Sequence, residues 1–411
     1  MIPPPANAAI TAVVRDHWGR ILAALVKTFG DFALAEDALQ DAALAAMRTW
    51  GDTPPAAPDA WLITTAKRRA LDRLRRDQTL ARKTPEIAYF LQHQQPDPAK
   101  EEPIPDQRLE MLFTCCHSAL DEKTQIALTL RTLGGLTAEE IADAFLDRPA
   151  TMAQRLSRAR TKIRVAGIPY AVPDAHALPA RLSAVMRVIY LIYTQGHAAR
   201  AGEALIRRGL TREAIRLAET LVLLAPDAPE PAGLLALLWL SDARSAGRTD
   251  AGGRMVPLET QDRSMWDHAQ IAKADQILKS ALIRKGIGPY QLQAAISALH
   301  AQSPTWDATD WPQIAALYAL LLQVEPSPVV ALNHAVAVSY AQSAAAGLAL
   351  LTPLAKPLAQ YSHYHAAKAD VLLRDGQHIA AADCFQIAIN LTENDVVRDF
   401  LRAKAARLRP H

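Results

Sequence analysis

Along most of the chain apolar side chains recur every three to four residues, as in Ile141, Ala142 and Phe145 and again in Met152, Leu156 and Ile163. Strict apolar/polar alternation is almost absent, and alanine and leucine dominate over Val/Ile/Thr runs. The pattern predicts an all-α chain. Its interruptions mark boundaries. A helical unit is expected over 8–77. Residues 78–106 lose the period, carry Pro85, Pro96, Pro98, Pro103 and Pro105 among Glu86, Asp97, Glu101, Glu102 and Asp106, and read as an acidic linker. A second helical unit follows over 107–166. After a break with three prolines (Gly167–Pro179), helical periodicity resumes over 180–411, interrupted by a Gly/Asp-rich loop near Gly247–Gly253. At 411 residues the chain exceeds what one core accommodates, so two to four domains are expected.

The third segment contains a repeat. A shift of 34 residues lays Ala335 on Ala369, Val338 on Leu372, Gln342 on Gly376, Gly347 on Ala381, Leu351 on Phe385 and Leu354 on Ala388. Small residues at these spacings let paired helices approach, and the phenylalanine fills the groove beside them, as in a tetratricopeptide-like helix pair. Glu393 stands where such a unit usually ends on proline, and earlier copies are blurred, so a helical solenoid is expected without a repeat count.

The clearest local motif is Leu136–Arg164, LTAEEIADAFLDRPATMAQRLSRARTKIR. Thr137 and Glu140 have the spacing of a capping box. Asp147 is placed to cap the next helix, with Pro149 in its first turn. Met152, Leu156 and Ile163 form the buried stripe, so Thr151, Gln154, Arg155 and Arg158 point elsewhere. This is a helix-turn-helix whose second helix suits the major groove. Arg155 fits guanine and Gln154 adenine, while Arg160, Lys162 and Arg164 suit phosphates. An ordinary helical hairpin with a basic face is the bland alternative.

Charge supports two polyanion contacts. The net charge of +3 says little, but eight Lys/Arg between Trp61 and Lys83 face two acids, and six between Arg148 and Arg164 face none. The order of AEDALQDA (Ala35–Ala42), a Pro-rich loop (Trp50–Asp59), AWLITTAKRRALDRLRR (Ala60–Arg76), a linker and a helix-turn-helix containing LSRAR resembles the extracytoplasmic-function sigma factors of the sigma-70 family. That likeness covers about residues 8–165. LFTCCHSAL (Leu112–Leu120) and the helical tail resemble the subgroup with a tetratricopeptide-type extension.

The resemblance implies a sigma2-like domain over 8–77, a sigma4-like domain over 107–166 and no catalysis. It places Asp37, Gln40 and Asp41 on the clamp coiled coil of the polymerase large subunit, with the flap region as a further contact. Asp52, Thr53, Lys67, Arg68, Arg69 and Arg73 would serve the −10 element, and Arg148, Thr151, Gln154, Arg155, Arg158 and Lys162 the −35 element. Trp61 is expected in the core rather than stacked on a base. Asp147-Arg148-Pro149 departs from the apolar-Pro-Glu order usual before the recognition helix, which implies an altered −35 preference. A linker of about 28 residues reaches at most ~90 Å, enough for the roughly 50–60 Å between promoter elements. The extension would regulate the promoter-binding half and could take a peptide or protein ligand.

Three cysteines provide no disulfide framework, no secretory leader is read at the start, and the apolar runs are too short for a bilayer, so a cytoplasmic protein without membrane contact is expected. Cys115, Cys116 and His117 diverge around a helix, which favours core packing over a metal site. Neither Gly286-Ile287-Gly288 nor His363 and His365 make a site, and no cofactor or metal is expected. Two competing readings are a stand-alone helix-turn-helix regulator with a helical sensor domain and a scaffold in which the solenoid does the work.

Overall fold

In the computed structural model the described residues are 6–50, 55–76, 106–145, 147–197, 208–250, 252–284 and 286–408. The chain is helical and has no strands among the described residues; one isolated antiparallel bridge joins Thr249 and Met255. It divides into two compact units, Met1–Val188 and Ile189–His411.

Unit 1 opens with α1 (Ala6–Phe29), α2 (Phe32–Thr49) and α3 (Pro58–Arg76), which pack on one another. Gly30, at φ +67°, turns the chain after α1, and the Asp31 carboxylate caps α2 by accepting from the amides of Ala33 and Leu34. Ile21, Leu22 and Leu25 of α1, Ala35, Leu39 and Ala42 of α2, and Leu62, Ala66 and Ala70 of α3 are buried. Next come α4 (Arg108–Cys115), α5 (Glu122–Thr132), α6 (Ala138–Phe145) and α7 (Pro149–Val165). Helix α1 also packs on α4 and α5, so these helices share a body with the first three. A Cβ at Gly19 would lie 2.7 Å from the Leu133 carbonyl oxygen, and only glycine permits that approach.

The expected break after α7 is a strap as well as a spacer. The Tyr170 hydroxyl lies 3.0 Å from the Ala23 carbonyl and 3.2 Å from that of Gln107. Arg181, in α8 (Leu178–His197), donates to the Phe113 carbonyl. The division between the units falls within α8.

Unit 2 continues through α9 (Arg208–Leu224), α10 (Pro229–Asp242), α11 (His268–Leu282), α12 (Pro289–Gln302), α13 (Trp311–Val324), α14 (Pro328–Ala341), α15 (Ala344–Leu351), α16 (Ser362–Arg374), α17 (His378–Leu391) and α18 (Asp395–Ala406). From α9 onward most helices pack on the next in sequence, as expected of a solenoid. Helices α14 and α16 begin 34 residues apart, at Pro328 and Ser362, as do α15 and α17, at Ala344 and His378. Ala335, Ala369, Gly347, Ala381, Leu351 and Phe385 are all buried. A Cβ on Gly347 would lie 2.3 Å from Ser339 Cβ, so this residue sets how closely α14 and α15 cross. The Gly/Asp-rich loop is a tight turn: the Asp250 carboxylate accepts from the amides of Gly252 and Arg254, with Gly253 at φ +77°.

Gly286 turns the exposed chain at φ +98°, and Gly288 belongs to packing. The carboxylate of Glu230 accepts from the amides of Tyr290 and Gln291 at the start of α12, and a Cβ on Gly288 would collide with it at 2.3 Å. No described helix is long and apolar enough to cross a membrane.

Candidate nucleic-acid interface

Helices α6 and α7 form the expected helix-turn-helix. The capping box is complete: the Thr137 amide donates to Glu140 Oε2 at 2.8 Å, and the Glu140 amide to Thr137 Oγ1 at 3.1 Å. Met152, Leu156, Ala159 and Ile163 are buried, which turns Arg148, Thr151, Gln154, Arg158 and Lys162 outward, all exposed. Two details differ from expectation. Arg148 is the N-cap of α7 and makes no side-chain cap, whereas Asp147 pairs with Lys123 at 2.8 Å. An ion pair to α5 has taken the carboxylate that local spacing assigned to capping.

Arg155 lies apart from the outward set. Its Nη1 is 3.5 Å from Asp121 Oδ1 and 3.4 Å from Thr124 Oγ1, at the start of α5. Burial opposes ionisation of Asp121, but hydrogen bonds from the Thr124 hydroxyl and amide, with Arg155 nearby, hold its carboxyl below the usual range. Arg160 turns furthest inward. Together with Arg131 of α5 it embraces Glu36 of α2: Arg160 Nη2 sits 2.6 Å from Oε2, and Arg131 Nε donates to Oε1 at 2.5 Å. Arg164 follows, 3.6 Å from Asp31. Sequence reasoning assigned Arg160 and Arg164 to phosphates and did not single out Glu36. The signal was available, since Glu36 adjoins the buried stripe Ala35, Leu39 and Ala42.

On α2 and α3, Asp37 and Asp41 both accept from Arg73, at 2.5 and 2.7 Å, so a residue read as a −10 contact neutralises two read as clamp contacts. The Gln40 amide reaches Glu36 Oε1 at 3.4 Å. Arg68 and Arg69 are exposed, and burial holds the Lys67 ammonium below its usual range. Asp52 and Thr53 lie outside the described residues, as does the linker up to residue 105. Trp61 rests edge-on against the buried Trp50, with ring centroids 5.3 Å apart.

Cys115 and Cys116 are buried, with Sγ atoms 3.2 Å from Thr132 Oγ1 and 3.8 Å from Thr129 Oγ1. Burial pushes both thiols up, that of Cys116 to about 12. His117 Nδ1 accepts from the Ala119 amide. His365 Nε2 lies 2.9 Å from the Ala359 carbonyl, and His363 stacks on Tyr361.

Sigma-70 region 2 matches residues 13–79, and sigma-70 region 4 matches residues 110–163. A relative in Rhizobium meliloti (strain 1021), "Uncharacterized protein R00370", is 38% identical over 392 residues, covering 94% of this chain and 93% of its own. The chain belongs to the sigma-70 family. A carboxyl-terminal extension follows the two sigma regions, and residues 181–282 match a family of unknown function (DUF6596). The crystal structure of the P58(IPK) TPR domain aligns over 98% of each chain at 13% identity with a TM-score of 0.25, which carries no argument about the fold. For a sigma-70 protein, regions 2 and 4 imply a transcription-initiation role with RNA polymerase and promoter DNA as partners. In this sigma-70 protein the region 4 helix-turn-helix has two faces that differ in exposure and pairing. Thr151, Gln154, Arg158 and Lys162 face outward, while Arg160 and Arg164 hold region 4 to α2 of region 2.

Proposed function

We propose that this chain is a cytoplasmic sigma factor of the extracytoplasmic-function type that directs core polymerase to promoters with separate −10 and −35 elements. The observation that carries the reading is the outward face of α7. Along that helix Arg148, Thr151, Gln154, Arg158 and Lys162 share exposure while the alternate stripe is buried. This is how a recognition helix presents base-reading and phosphate-binding groups to a major groove. Arg155 joins that face by leaving Asp121. Lys67, Arg68, Arg69 and Arg73, with Asp52 and Thr53 on the preceding loop, serve the −10 element. Asp37, Gln40 and Asp41 grip the clamp coiled coil, and region 4 meets the flap region.

The described form of unit 1 is closed. Contacts to separate promoter elements require α7 to leave α2, which breaks the Glu36–Arg160 and Asp31–Arg164 pairs and frees two cations for phosphate. Docking on polymerase supplies that opening, since the clamp draws Asp37 and Asp41 away from Arg73. The helical extension, read as tetratricopeptide-like, biases this equilibrium. Because Tyr170 and Arg181 hold unit 1 together, a truncation that tests this belongs after Val188 rather than after Gly167. Equal promoter activity of the truncated and complete chains would refute regulation by the extension.

Footprinting of the reconstituted holoenzyme tests the promoter assignment. Gln154→Ala should relax preference at one position of the upstream element. Lys162→Ala should weaken all sequences about equally and lower the salt slope by about 1. A reversed pattern contradicts the two roles.

A further inference from the structure

Several cations of unit 2 have acidic partners: Arg216 pairs with Glu213, Arg254 with Asp250, Lys279 with Asp275, Arg398 with Asp395, and Arg402 with Asp399. Three inner arginines do not. Arg244 follows α10, Arg248 ends the short turn Ser245–Arg248, and Arg263 opens the turn Arg263–Met265. Their hydrogen bonds go to uncharged oxygens. Arg244 donates from Nε to the Leu240 carbonyl and from Nη2 to Ser297 Oγ, both at 3.0 Å. Arg248 donates to the His197 carbonyl at 2.5 Å, and Arg263 to the His300 carbonyl at 2.8 Å. Among the described residues no carboxylate forms an ion pair with any of the three.

A second observation falls on the same place. Four buried side-chain atoms of unit 2 lack a hydrogen-bond partner: Arg263 Nη2, His300 Nδ1, Trp266 Nε1 and Gln261 Oε1. Three are nitrogens, and all four belong to the segment 261–266 or to the histidine whose carbonyl Arg263 holds. Trp266 also lies beneath the Arg263 guanidinium, 4.7 Å from its centre. Gathering like charges away from water is costly, and unpaired buried donors add to that cost. A bound anion removes both penalties at once, because guanidinium groups suit oxyanions bidentately. Access exists: Arg244, Arg248, Arg263, His197 and His300 each keep part of their surface open to solvent.

We propose that unit 2 carries a binding site for a small oxyanion, a phosphate or carboxylate group, held by Arg244, Arg248 and Arg263 with His300 at its edge. The site is independent of the promoter reading, and it would hold whether or not the chain initiates transcription. Electrostatics agree with the geometry. Burial, then the nearby guanidinium groups, depress the His300 imidazole to about 4, and burial heads the causes that lower Arg244 to about 10. An anion among these groups would reverse that field.

The complete chain should be titrated with sodium phosphate, and separately with sodium succinate, against sodium chloride at constant ionic strength while thermal unfolding is followed. At a hundred-fold excess over half-saturation, the favoured anion should raise the transition of unit 2 by about 5–10 °C. The arm with the tighter half-saturation identifies phosphate or carboxylate as the group bound. Arg263→Gln should raise half-saturation at least ten-fold, whereas Arg402→Gln, on an exposed pair, should change it less than two-fold. As a readout that needs no variant, binding should move the His300 imidazole titration upward by NMR. Responses to both anions no larger than to chloride would overturn the proposal, as would a saturable response that Arg263→Gln and Arg244→Lys both retain.

Discussion

Replacing Glu36 by glutamine tests how unit 1 is held closed. The Glu36 side chain is 5% exposed and receives Arg131 and Arg160, whose side chains are 13% and 23% exposed. Removing the charge leaves two guanidinium groups facing a neutral amide in a poorly hydrated place. Breaking a buried ion pair from one side costs about 3–5 kcal/mol. Arg160 retains some solvent, so the expected loss lies near the lower end, about 3 kcal/mol. Arg160→Gln should cost less, about 1–2 kcal/mol, because Arg131 still neutralises Glu36. The double-mutant cycle should return a coupling of about 1–3 kcal/mol. Hydrogen exchange followed on peptides of α2, α5 and α7 separates this loss from events in unit 2. Glu36→Gln within about 0.5 kcal/mol of the parent chain would refute the reasoning, as would additive single and double variants.

Three further outcomes follow from the packing. Burial and the surrounding arginines depress His300 to about 4 and His197 to about 3, both below an unfolded histidine near 6.5. The unfolded state therefore binds more protons, so unit 2 should be most stable above about pH 6.5 and should weaken as pH falls toward 4. His300→Gln should flatten part of that slope in pH-dependent urea unfolding, and an unchanged slope would exclude His300 as its source. Gly347→Ala, with its new Cβ 2.3 Å from Ser339, should cost about 1–3 kcal/mol by the same measurement. Thiol-reagent labelling of Cys115 and Cys116 should proceed only as unit 1 opens, since both are buried with raised thiols.

What could be read from sequence follows the distance over which each feature is decided. The Thr137–Glu140 capping box is settled within one helical turn, and both its hydrogen bonds are where the spacing placed them. The 34-residue offset was visible because each helix pair repeats the small and large apolar positions that pack it. Asp147 went astray because a cap and an ion pair compete for one carboxylate, and Lys123 on another helix wins. Arg160 read as a phosphate contact because its partner, Glu36, is 124 positions earlier and no local pattern joins them. The arginines at 244, 248 and 263 drew no notice for a similar reason. They sit in short turns without helical period, and only the fold brings Arg244 and Arg263 to α12 and Arg248 to His197. Their lack of carboxylates is a three-dimensional property.

Start-site mapping of transcripts made by purified core polymerase and the complete chain, on a randomised promoter library, tests the central claim most directly. The account predicts transcripts that depend on the chain and share two upstream elements at fixed spacing, with Gln154→Ala altering only the farther one. No chain-dependent transcripts, or selection of a single element bound equally well without core enzyme, would contradict it.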